Sequence, residues 1–113
     1  MIEAVLIQYL SNSELLGVPV HAQRPENPPE KYVLVDKTGS SNQNRIMTST
    51  FAIQSYASRL LEAAELNEIV KAVMEDFEAE PEIGRVNLVS DYNFTSTQAK
   101  QPRYQAVFAI THY

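Results

Sequence analysis

Hydrophobic positions along this chain recur with two different periods, and the switches between them mark out the elements. Ile2, Val5, Leu6, Tyr9 and Leu10 follow helical spacing and predict a short amphipathic helix. Ser11, Asn12 and Ser13 interrupt it; Glu14, Leu15 and Leu16 extend it by one turn, with Gly17 as the stop. Val18, Val20 and Ala22 then alternate with Pro19, His21 and Gln23, a strand that the missing amide of Pro19 assigns to a sheet edge. RPENPPE is an extended loop, and KYVLVDK reads as a buried strand. IMTSTFAIQSYA is the longest strand candidate, with Phe51 and Ile53 on one face and Ala52 and Tyr56 on the other.

The period returns to helical after Ser58, a predicted N-cap for a helix over Arg59–Glu80. Leu66, Ile69, Val70, Val73 and Phe77 line one side of that helix, and Glu62, Glu65, Glu68 and Glu75 the other. Pro81 and Gly84 end it. VNLVSDY and RYQAVFAITHY follow as two strands joined by NFTSTQAKQP. The order α-β-β-β-α-β-β predicts a single α+β domain over 1–113, a mostly antiparallel sheet with two helices packed on one face. The last strand is apolar on both sides: Tyr104, Ala106, Phe108 and Ile110 against Val107, Ala109 and Tyr113. Such a strand belongs inside its sheet, or has its second face covered, for which another subunit is one candidate.

Composition narrows the chemistry. An apolar share of 44% over 113 residues with three glycines suits one folded domain. The net charge of −5 disfavours recruitment to DNA or an anionic membrane, and the nine Lys and Arg form no cluster. There is no cysteine, which excludes disulfides, thiolate metal sites and a Cys nucleophile. The apolar start carries Glu3 where a signal peptide needs a basic flank, and no apolar run spans a bilayer, so the expectation is a cytoplasmically made protein without membrane attachment.

The run DKTGSSNQNRI between two strand candidates invites comparison with a phosphate loop. That loop needs a second glycine, a following lysine and a helix, and none is present here. The run instead predicts a polar hairpin tip with Gly39 or Asn42 at positive φ. His21 and His112 sit in different strands without metal-ligand spacing and are expected to be exposed. The carboxylates of the long helix form a solvated face, no serine lies in a nucleophile motif, and Asn93-Phe94-Thr95 matches a glycosylation sequon in spelling only. No catalytic residue, cofactor or metal site is expected.

Taken together, RPENPPEKYVLVDKTGSSNQNRI, TSTFAIQSYASRLLEAAELNEIVKAVM, VSDYNF and QPRYQAVFAI resemble the tail terminator proteins of long-tailed phages and prophages, also called tail completion or minor tail proteins. The matching pattern is a proline-rich approach to a hairpin, a strand closing near Gln-Ser-Tyr and a helix dense in Ala and Glu. A Tyr-Asn-Phe turn and a Pro-Arg-Tyr start to the last strand complete it. It spans roughly 24–110. The resemblance implies a structural virion protein of the tail or neck, made in the bacterial cytoplasm. It would form a ring, typically of six copies, on the last tier of the tail tube. That ring would stop tube polymerisation and offer a surface to the head connector, while DNA passes through its lumen without specific binding.

On this reading the partners are other copies of the chain, the major tail tube protein and the connector. The expected contact residues are Lys37, Thr38, Gly39, Ser40, Asn42, Asn44 and Arg45 at the hairpin, Arg59 at the helix start, Tyr92, Asn93 and Phe94 at the turn, and Gln101, Pro102, Arg103 and Tyr104 on the returning strand. Tyr92, Phe94 and Tyr104 could equally cap the core. A head-completion protein on the portal side is the alternative of the same class, and a small nucleotide-binding enzyme domain the alternative of another.

Overall fold

The computed structural model describes residues 1–96 and 101–113. In chain order the elements are α1 (Ile2–Ser11), β1 (Val20–His21), β2 (Tyr32–Gln43), β3 (Ile46–Tyr56), α2 (Leu60–Glu75) continued by a 3-10 turn (Asp76–Ala79), β4 (Ile83–Asn93) and β5 (Arg103–His112). They form one five-stranded sheet in the order β1-β2-β3-β5-β4. Every pairing is antiparallel except β1 with β2. The α+β class and the element order are those expected from the hydrophobic pattern.

Strand register decides which residues meet the helices. Phe51 lies opposite Phe108, and Ile53 lies between Val35 and Ala106. These side chains pack with Leu6 and Leu10 of α1 and with Leu66, Val70, Val73 and Met74 of α2, together with Phe77 beyond it. Each large side chain so buried contributes about 1.5–3 kcal/mol, which is why the period-2 and period-3.6 patterns lock to each other here. The two helices are also tied directly. The Tyr9 hydroxyl donates to the Val73 carbonyl at 2.6 Å, and its ring centroid lies 4.7 Å from that of Phe77. α1 ends at Ser11 with Asn12 as its C-cap. The extension over 14–16 is a separate turn, closed by Gly17 N–H donating to the Ser13 carbonyl at 3.3 Å, with Gly17 at φ +62, a conformation that suits a residue without Cβ.

Several local expectations are corrected. The polar run after Asp36 is not a loop, because β2 continues to Gln43 and the reversal falls at Asn44 and Arg45, with φ 53 and 66. Gln43 pairs with Ile46, so this is a two-residue hairpin turn with both central residues left-handed, as a type I′ turn requires. Neither Gly39 nor Asn42 has positive φ; Gly39 follows a bulge after Lys37. Polarity in this run marks the absence of burial rather than the absence of a strand. Ser40, Ser41 and Asn42 simply continue the ladder against Ser49, Thr48 and Met47 beyond the helices' reach.

At the start of α2 the N-cap is Arg59, extended and without a side-chain capping bond, so Ser58 lies one residue short of the role expected of it. The α-helix ends at Glu75 rather than Glu80, with the chain tightening into the 3-10 turn that buries Phe77. The first strand shrinks to Val20–His21, although it is an edge strand as Pro19 suggested, with the Pro19 carbonyl accepting from Val33 N–H at 2.9 Å. β5 lies between β3 and β4, in agreement with its two apolar sides. Of the expected β4–β5 connection, residues 97–100 lie outside the described residues.

Candidate functional site

Both helices occupy one face of the sheet; among the described residues no helix covers the other, although Tyr32, Tyr56 and Gln105 on it are buried. Alternation along β3 and β5 puts Gln54 and Tyr56, and Arg103 and Gln105, on that helix-free face. Paired positions there make rows across the strands.

The outermost row joins all five strands. Arg103 stands over the Phe94 ring at 4.5 Å and over the Tyr56 ring at 5.7 Å. Its Nε donates to the Phe94 carbonyl at 2.6 Å and Nη1 to the Tyr56 hydroxyl at 2.8 Å. Tyr56 stacks on Tyr32 with centroids 4.6 Å apart and planes 3° from parallel, and His21 meets Tyr32 edge-on at 5.9 Å. Tyr92 meets Phe94 edge-on at 5.7 Å. Burial, then the neighbouring Tyr56, raise the Tyr32 phenol above its ordinary range, against the opposing pull of Arg24 and Arg103.

Behind this row runs a directional chain of hydrogen bonds. Arg103 donates to the Tyr56 hydroxyl, which donates to Gln54 Oε1 at 2.9 Å; Gln54 Nε2 donates to Gln105 Oε1 at 2.9 Å, and Gln105 Nε2 to the Tyr92 hydroxyl at 2.6 Å. Tyr92 accepts the last bond and retains its own proton on a side chain 40% exposed. A partner acceptor placed there would meet a donor already oriented by a chain that runs through three strands.

The residues singled out by the resemblance divide between the two ends of the sheet. Tyr92, Phe94 and Arg103 come together at one end, with Arg59 exposed nearby at the start of α2. Asn93 and Tyr104 belong to that end but pair on the helix side of the sheet. The Asn93 side-chain oxygen is occupied by the Thr95 amide at 3.1 Å and hydroxyl at 2.7 Å, which accounts for the sequon spelling as a local turn. Gln101 reaches the Glu30 carbonyl at 3.2 Å, tying the proline-rich loop to β5, and the Pro102 carbonyl accepts from Ala57 N–H at 3.3 Å.

The opposite end is the β2–β3 hairpin. Arg45 and Asn44 form its exposed turn; Gly39, Ser40 and Asn42 are exposed along its arm. Thr38 Oγ1 braces the bulge by donating to the Thr50 carbonyl at 3.3 Å. Lys37 does not project with them: its ammonium lies 3.6 Å from Glu3 on α1, on the helix side. With 11 residues in β3 at about 3.4 Å each, the two ends stand roughly 35 Å apart.

Two polar clusters lie on the helix side. Asn67 Nδ2 and Lys71 Nζ both donate to Asp91 Oδ1 at 3.3 Å, and Lys71 also meets Glu68 at 2.8 Å, fastening α2 to β4. The bond to Glu68 leads in raising the Lys71 pKa. Ser49 and His112 share a hydrogen bond of 2.9 Å. The pair has the reach of a nucleophile and its base, but Ser49 has no exposed surface, so the bond acts as a tie between β3 and β5. The two histidines, expected to be exposed, are therefore half-buried.

Sequence reasoning missed Tyr32, Gln54 and Gln105. Their signal was alternation: each occupies the face opposite the core residues of its own strand. Neither a comparison with protein-family models nor one with curated proteins finds a match to this chain.

Proposed function

We propose that the chain is the subunit of a ring that terminates a phage tail tube and joins it to the head connector. The observation that carries this reading is the division of its exposed contact candidates between two ends of one sheet. A joining subunit must hold two different partners at a set separation, and a five-stranded sheet filled on one side by helices is a stiff spacer. The hairpin turn offers Arg45 on an extended arm; the other end offers an oriented tyrosine hydroxyl among aromatic rings. Arginine and tyrosine are residues that anchor interfaces, since each combines large contact area with hydrogen bonding. The sequence resemblance supplies the identity of the two partners.

Light scattering and electron microscopy of the purified protein, alone and with tail-tube protein, test the reading. Rings seated on tube ends are expected; a protein that stays monomeric and leaves tube growth unchanged would sink it. Loss of the gene separates terminator from head-completion protein: overlong headless tails beside filled heads point to the first, normal tails beside leaky heads to the second.

A further inference from the structure

Two stretches of sheet edge have no strand partner among the described residues. The outer edge of β2 is covered by β1 only at Val33 and Leu34, leaving Val35–Gln43 open. On the far side of the sheet β4 is the edge strand. Its Val86 N–H is capped by the Glu78 carboxylate at 2.8 Å, but the strand continues to Asn93 beyond that cap. Sheet edges of this kind are usually blunted by charge, proline or a bulge. Leu88–Asn93 has no lysine or proline; it carries a bulge at Val89 and an Asp91 held by Lys71, and it still exposes Leu88 at 46% and Val89 at 61%.

The polarity of the strands makes these two edges fit each other. Three successive antiparallel pairings link β2 to β4 through β3 and β5, so β2 and β4 run in opposite directions. Two copies side by side in the same orientation therefore bring β4 of one antiparallel to β2 of the next.

We propose that the edges pair between copies, with Leu88–Asn93 of one chain adding antiparallel to Val35–Gln43 of the next and extending the sheet across the subunit boundary. The contact uses two different patches on each copy, so its repetition closes into a ring when the rotation allows. Leu88–Asn93 lies level with Phe51–Ser55, the half of β3 away from the turn, and Val35–Gln43 with Ile46–Ile53, nearer the turn. Adjacent copies are thus offset by about four residues, roughly 14 Å along the strands. A ring absorbs that offset by tilting its strands against the axis. The pairing rests on the ring reading and specifies which surfaces make it.

The native chain has no cysteine, so engineered thiols report on this contact alone. A Ser41→Cys/Val89→Cys variant treated with a short bis-maleimide should give a ladder of covalent oligomers on a denaturing gel, and each single variant should give monomers. Dimers from Val89→Cys alone would mean like edges pair, and overturn the proposal. So would an absence of cross-links in a double variant that electron microscopy shows as rings, a result that defeats the pairing and leaves the ring reading intact. A native protein that stays monomeric beside tube ends defeats both. As an independent arm, Val89→Lys, shown folded by circular dichroism, should fail to form rings; rings formed as readily as by the native protein would overturn the pairing.

Discussion

Arg103 holds four groups in place with one guanidinium. It joins the Phe94 carbonyl and the Tyr56 hydroxyl and lies between the rings of those two residues. Arg103→Ala should lower stability by about 2 kcal/mol, from two charge-assisted bonds and the ring contacts in a half-buried setting. Arg103→Lys should recover less than half of that, because a point ammonium cannot serve two acceptors and two ring faces at once. Urea unfolding of the three proteins gives the comparison.

His112 gives a pH test at the same scale. Its pKa is held below the ordinary 6.5, first by burial and then by Lys37 and the amino terminus, with Glu3 and Glu82 pulling the other way. The unfolded chain therefore binds the proton more readily than the folded one, so stability is greatest above about pH 6.5 and falls as pH drops through and below that value. Unfolding midpoints at pH 7.5 and 5.5 should show the loss. His112→Asn should reduce it, and an unchanged pH slope in that variant would assign the loss to the carboxylates instead.

At the scale of elements, the hairpin is a long arm closed by a turn of unfavourable composition. Arg45 sits at φ 66, where a side chain costs roughly 1 kcal/mol and glycine does not. Arg45→Gly should raise the unfolding midpoint slightly while removing the only charge of the turn. If the arm contacts a partner through Arg45, the same variant binds it more weakly. Stability and binding would then move in opposite directions, as happens where a functional position is kept against a local rule. α2 shows the complementary case: its face against β3 and β5 was legible from spacing because Leu66, Val70 and Val73 bury there. Its ends were not. Capping at Arg59 and tightening before Phe77 depend on where the neighbouring strand and core stand.

For the whole molecule, the separation of the two ends makes the partner question divisible. Arg45→Glu at the hairpin and Tyr92→Phe at the aromatic end should each leave the fold intact, as judged by circular dichroism. Under the proposed function, each should weaken binding to a different one of the two proposed partners, measurable by pull-down with tail-tube protein and with connector protein. Loss of both partners by either variant would mean that the ends do not act separately.

The hydrophobic pattern by itself determined the number, type and order of elements, because apolar side chains must face one core and each period admits one geometry. It also marked β5 as either interior to its sheet or covered on its second face, and the strand order puts it inside, between β3 and β4. The length of β2, the location of the turn and the role of Lys37 were decided by pairing with β3 and contact with α1, partners distant in sequence. The network of Arg103, Tyr56, Gln54, Gln105 and Tyr92 on the helix-free face belongs wholly to tertiary structure. Its members are separated by up to 51 positions in bonded pairs, and only strand register sets them in one line. The run from Asp36 to Ile46 shows both sides: its polarity was legible as exposure, but that it is strand almost to its end follows from the ladder opposite.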